Sequence, residues 1–133
     1  MKKKPRIQLL GVLFLDKMRK KIIINYKKKK ITLIAEDCNL FRKFSGLMFS
    51  RREKAGILLF NFKEKQKIAI HSFFVFYPFV AVWLDEKNKV VDLKIVKPFT
   101  FCISPKKSCF KLVEIPINKK NGKTTNFFSV PRR

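Results

Sequence analysis

Histidine, cysteine, glycine and acid are all scarce in this chain. Its 133 residues hold one His, three Cys, four Gly and nine Asp plus Glu. So few glycines exclude a collagen or a flexible linker array, and no glycine-rich loop suited to cradling phosphates is present. The single histidine, His71, is the one imidazole available as a general base or metal ligand. An odd cysteine count without a C-x-x-C pair fits neither a disulfide framework nor a zinc ribbon. No apolar run reaches the roughly 18 residues that a membrane-crossing helix needs.

Positive charge and phenylalanine are plentiful. Lys plus Arg number 32, so the formal net charge is +23, and 15 residues are Phe. Apolar residues make up 47% of the chain, enough to build one core and to exclude a mainly disordered protein. Residues 1–30 carry +11 and residues 119–133 carry +5, which leaves +7 on the long body between them. Lys outnumbers Arg 25 to 7, and Lys, Ile, Phe and Asn together supply 60 of the 133 residues. A/T-rich coding explains that bias as readily as phosphate binding, for which the forked guanidinium of Arg is the more telling group.

The pattern along the chain is mostly β. Residues 1–20 read as a basic and apolar N-terminal extension: a basic start and an apolar stretch at 7–15 resemble a signal, but no small-residue cleavage site follows. A membrane-surface segment, a degenerate signal and a true start at Met18 rather than Met1 all fit. Short β-branched and aromatic runs follow at 22–26, 31–35, 56–62, 68–76, 79–84, 90–96 and 110–115, separated by turn residues. Lys27 to Lys30 mark a hairpin turn. Asp37 or Asn39 can cap a short helix carrying Leu40, Phe41, Phe44 and Leu47 at helical spacing, with Gly46 near its end. Residues 21–118 are therefore expected to form one β-rich domain, small and barrel-like or jelly-roll-like, with one or two short helices. Its expected core includes Leu47, Phe49, Leu58, Phe60, Phe74, Val82 and Leu84. Residues 119–133 read as a basic tail.

Each chemistry-bearing feature has a plain structural explanation. His71 suits an imidazole hydrogen-bonded in or at the rim of a sheet. Cys38, Cys102 and Cys109 suit reduced thiols in a cytoplasmic protein; a bridge between Cys102 and Cys109 is geometrically allowed, and zinc would require them to converge with His71. Glu36 and Asp37 suit a helix start, and Asp85 and Glu86 a turn. Residues 73–79 include five aromatics. Such a run suits a strand buried on both faces, or alternatively a surface on which nucleic-acid bases stack.

Four segments taken in order resemble the prokaryotic family called domain of unknown function 192, its archaeal branch in particular. They are GLMFSR at 46–51, GILLFNF at 56–62, IHSFFVFYPFVAVWLD at 70–85, and VKP at 96–98 leading through SPKK at 104–107 to LVEIP at 112–116. The resemblance covers residues 31–118. It implies a compact β-barrel-like or jelly-roll-like domain and no established activity. Two departures stand out: Val80 occupies the place of that family's Asp, and its C-terminal glycine-rich segment is reduced to NGKTT at 121–125. The family pattern also marks Arg51, which can bind an anion or brace a loop against Asp85 or Glu114.

The expectation is thus a binding or structural module rather than an enzyme, with no catalytic residue, cofactor or metal. One alternative is non-specific association with nucleic acid or an anionic membrane surface through the basic termini. Another is a small-ligand binder or enzyme with its site near Arg51 and His71.

Overall fold

The computed structural model describes residues 19–38 and 46–128. The apolar stretch at 7–15, Met18 and most of the expected helix at 39–45 lie outside the described residues.

Six strands form one sheet. They are β1 (Arg19–Tyr26), β2 (Lys29–Asp37), β3 (Leu58–Gln66), β4 (Phe79–Leu84), β5 (Val90–Val96) and β6 (Cys109–Pro116), in spatial order β1-β2-β3-β6-β4-β5. All neighbours pair antiparallel except β2 and β3, which run parallel. The expected runs at 22–26, 31–35, 56–62, 79–84, 90–96 and 110–115 each lie in a strand, within a few residues at either end. The β1–β2 turn is tighter than the sequence suggests. Tyr26 pairs with Lys29, so Lys27 and Lys28 alone reverse the chain, at φ 49° and 66°. Such a two-residue turn matches the right-handed twist of the strands it joins, at the cost of placing two lysines in the left-handed region.

The sheet curls into a half-barrel. Its far edges approach at one end, where the Asn25 amide N–H donates to the Asn88 carbonyl at 2.9 Å and the Asn25 side-chain amide donates to that of Lys87 at 3.3 Å. Side chains alternate between two apolar clusters, with an interruption at the β5 bulge opposite Trp83 and Leu84. The inner one gathers Ile22, Ile24, Leu33, Leu59, Val80, Val82, Leu84, Val113 and Ile115. The outer one gathers Leu58, Phe60, Phe79, Ala81, Trp83 and Leu112. β4 sits between β5 and β6, and all six of its residues are buried, as a strand covered on both faces requires.

Two sequence expectations need correction. Residues 68–76 do not form a strand: they run as irregular chain with one bridge, Ile70 to Ile103. Phe49 and Phe74, expected in the core, are exposed, whereas Leu47, Leu58, Phe60, Val82 and Leu84 are buried.

The chain also stays folded beyond residue 118. A short helix, α1 (Gly122–Phe127), closes the inner face, and Phe128 after it is buried in the inner cluster against Tyr26 at a ring distance of 5.3 Å. Asn118 and Asn121 fasten this segment, each donating from its side-chain amide to the Ala55 carbonyl. Only the last part of the expected tail, residues 129–133, lies outside the described chain. Phe128→Ala should cost about 3–5 kcal/mol, the usual range for truncating a buried Phe. Urea denaturation measures this, and a loss below about 1 kcal/mol would mean that α1 is not part of the core.

Candidate functional site

A strand buried on both faces needs cover on its outer side, and three loops supply it. Residues 46–57, 67–78 and 97–108 cross the outer cluster, with Leu47, Ala55, Ile68, Val75 and Tyr77 turned down into it. Other side chains of the same loops point away from the core. Phe49 is 68% exposed, Phe74 45%, Phe76 62%, Phe99 46% and Phe101 76%.

These rings touch one another. Phe49 stacks on Phe74 with centroids 5.0 Å apart, Phe74 meets Phe99 edge-on at 5.8 Å, and Phe99 meets Phe76 at 5.2 Å. A second group runs from Phe101 to Phe73 at 5.6 Å and on to His71 at 5.3 Å. Such ring pairs contribute about 0.5–1.5 kcal/mol each beyond area burial.

The backbone beneath is strained. Phe49, Phe74 and Phe99 have φ of 61°, 58° and 55°, the left-handed region that bulky side chains avoid at a cost on the order of 1 kcal/mol each. Hydrogen bonds hold them there. The Phe49 amide donates to the Phe74 carbonyl at 2.8 Å. Ser72, fully buried, is the central fastener: its hydroxyl donates to the Lys97 carbonyl at 2.6 Å and accepts from the Thr100 amide at 2.6 Å. Its carbonyl accepts from Phe99 at 2.9 Å and Val75 at 3.1 Å, and its amide donates to Thr100 at 2.9 Å. Ser50 and Tyr77 join their hydroxyls beneath the first loop.

Gly46 opens that loop at φ +52°, and a Cβ there would lie 3.3 Å from Oε1 of Glu114, a buried carboxylate on the outer face of β6. Both the left-handed turn and the close approach require glycine.

The residues singled out in the sequence lie at the margins of this surface. Arg51 is exposed, two positions after Phe49, and lines an open groove of about 250 Å³ with Phe49, Ser50 and Lys54. Among the described residues it makes no ion pair. Asp85 instead accepts from the Lys87 and Lys89 amides of the β4–β5 turn. His71 is exposed at the other margin, where its Nδ1 accepts from the Phe73 amide at 3.1 Å. That bond places any ring proton of the neutral imidazole on Nε2. His71 does not line the groove of Arg51. Val80 faces the inner cluster with no exposure and serves packing.

All three thiols are free, with Cys38 and Cys109 buried and Cys102 exposed. Among the described residues no three of His, Cys, Asp and Glu gather closely enough to hold a metal ion. No helix of the described residues is long and apolar enough to cross a membrane.

Of the two readings the sequence allows for residues 73–79, a strand buried on both faces and an exposed aromatic surface, the structure divides the run: Val75, Tyr77 and Phe79 are buried while Phe74 and Phe76 are exposed. The signal present in the sequence is the alternation at 74–77, where Val75 and Tyr77 turn inward and Phe74 and Phe76 outward.

Comparison with known proteins points the same way as the fold. The chain is similar to UPF0127 proteins of archaea. One from Pyrococcus furiosus is 28% identical over 78 residues, covering 59% of this chain and 66% of that protein. Another, from Thermococcus sibiricus, is 29% identical over 101 residues, covering 72% and 64%. The chain thus spans just under two-thirds of the length of these relatives, whose shared designation names no activity. No family model matches. Among solved structures, a protein from Sinorhizobium meliloti 1021 provisionally described as a transcription regulator superposes with a TM-score of 0.69 at 15% identity, covering 87% of this chain and 90% of its own. A protein of unknown function from Novosphingobium aromaticivorans gives 0.64 at 12% identity, covering 79% and 77%. At these identities the likeness is one of fold.

Thiol chemistry offers a check on this arrangement. Burial pushes the Cys109 thiol above its ordinary value of 9.0, against a smaller opposing effect of a backbone hydrogen bond from Ile68. Iodoacetamide at neutral pH should therefore label Cys102 first and leave Cys38 and Cys109 until the chain unfolds. Since the unfolded chain loses the Cys109 proton before the folded one, stability should fall as pH rises through 9.0. Cys109→Ala should lessen that fall. Equal labelling of all three thiols in the native protein would contradict the packing.

Proposed function

We propose that the chain is a divergent relative of the domain of unknown function 192 family and serves as a binding module, its recognition face being the aromatic surface of the three loops. One observation carries this reading. Three exposed phenylalanines are held in left-handed backbone conformations by a buried serine and by each other, although glycine or asparagine would fit there with less strain. Strain maintained at an exposed apolar surface serves the surface rather than the core. Arg51 and His71 then act as rim groups that orient a partner, with no covalent chemistry and no resident cofactor or metal. The exposed and buried thiols suit a reducing compartment such as the cytoplasm.

Charge supports an anionic partner. The loops 46–57, 67–78 and 97–108 together contain seven Lys and Arg residues and one acid, Glu53, within a chain of net charge +23. This adds a face in the folded body to the basic termini as a place where nucleic acid or an anionic surface is met.

A probe panel tests the reading: a thymidine oligonucleotide, anionic vesicles and uncharged vesicles, each against the wild type and the triple variant F49S/F76S/F101S. The three side chains are mostly exposed, so the variant should keep its circular dichroism spectrum and melt within a few degrees of the wild type. At least one probe should bind the wild type and lose about tenfold or more in affinity for the variant, while Ile34→Ser, an exposed site on β2, changes nothing. Equal binding by wild type and triple variant across the panel would overturn the reading.

A further inference from the structure

We propose that the partner of this face is an anionic lipid bilayer, with the phenylalanine cluster seated among the lipid chains and the flanking cations at the headgroups. The inference rests on the aromatic face being the working surface, and it names the occupant. Four observations select it.

The exposed ring cluster at the centre of the face is hydrocarbon. The rings of Phe49, Phe74, Phe76, Phe99 and Phe101 offer no hydroxyl or indole N–H to a partner, whereas the two aromatic side chains nearby that do carry such groups, Tyr77 and Trp83, are buried, with the Trp83 Nε1 donating to the Ile68 carbonyl. A surface reading base edges would need donors and acceptors, which lipid chains do not.

The rings also pack against each other. The Phe49–Phe74 stack and the edge-on contacts of Phe99 with Phe74 and Phe76 form a continuous layer, rather than the spaced platforms on which successive bases stack.

Charge is arranged as an interface requires. Arg51 beside Phe49 and Lys97 beside the Phe99 loop are exposed cations, and across loops 46–57, 67–78 and 97–108 seven Lys and Arg residues face one carboxylate, Glu53. Each cation held near an anionic bilayer strengthens binding about fivefold. A second copy of the chain is disfavoured, because it would bring +23 against +23.

Finally, the layer is preorganised. Ser72 and the Phe49–Phe74 backbone bond fix all three loops before contact, so little ordering entropy is lost on insertion.

The test is flotation of the full chain with vesicles of phosphatidylserine and phosphatidylcholine, and with phosphatidylcholine alone, at low and physiological salt. The wild type should float with the mixed vesicles and at least about tenfold less with phosphatidylcholine alone, and inorganic phosphate at matched ionic strength should not release it. F49S/F76S/F101S should bind the mixed vesicles about tenfold or more weakly than the wild type, while Ile34→Ser binds like it. In the wild type, amide exchange at residues 49, 74, 76, 99 and 101 should slow when vesicles are added, a readout that needs no variant. Equal flotation of wild type and triple variant, with no slowing at those amides, would assign membrane attachment to charge alone and overturn the proposal. Absence of flotation, together with thymidine-oligonucleotide binding that the triple variant loses, would remove lipid as the partner and leave the aromatic face as a working surface. Absence of any ring-dependent binding would overturn both.

Discussion

Everything on the outer side of this molecule follows from burying β4 on both faces. Phe79 to Leu84 contribute six large or tightly packed side chains, alternately to the inner and the outer cluster, and neither set can be left in water. The inner set is covered economically, because the sheet curls on itself and α1 with Phe128 closes the remaining opening. Among the described residues no second sheet covers the outer set. Three irregular loops do what a sheet does in a sandwich, turning Leu47, Ala55, Ile68, Val75 and Tyr77 down onto the cluster of Trp83, Phe79 and Phe60.

That solution has a consequence at the surface. An irregular chain that alternates inward and outward side chains gains an outer layer of its own. Here the layer is phenylalanine where a solvated loop would carry polar groups. The price is three left-handed Phe residues and a buried serine hydroxyl at the centre of a five-bond network. Fold and candidate function are therefore coupled: the bonds that keep water off the core also hold the rings in place. Gly46 belongs to the same design, since it allows the first loop to descend beside the buried Glu114 carboxylate.

Much of the fold was legible in the sequence, and the reasons are physical. Where a run was β-branched and bounded by turn residues, as at 90–96 or 110–115, the backbone preference and the burial pattern agreed, and the strand formed. The run at 68–76 failed because composition was weighed above alternation: Ser72 amid aromatics was a sign that backbone groups there needed a side-chain partner, which a regular strand would not require. The end of the chain was misread for a similar reason. Its lysines suggested a tail, while Phe127 and Phe128 carried enough apolar area to seat a helix. Of the proposed site, the sequence singles out His71 as the lone histidine and Arg51 through the family resemblance, yet the ring surface near them depends on contacts among residues 49, 74 and 99, which no local pattern in the chain announces.

Hydroxyl-radical footprinting with mass spectrometry tests the central claim most directly, since it reads ring exposure residue by residue in the intact protein. The structure predicts heavy oxidation at Phe49, Phe76 and Phe101, intermediate oxidation at Phe74 and Phe99, and protection of Phe60, Phe79 and Phe128 until the chain unfolds. Protection of Phe49, Phe76 and Phe101 to the level of Phe60 would contradict the account, because those rings would then belong to the core rather than to a surface held open above it.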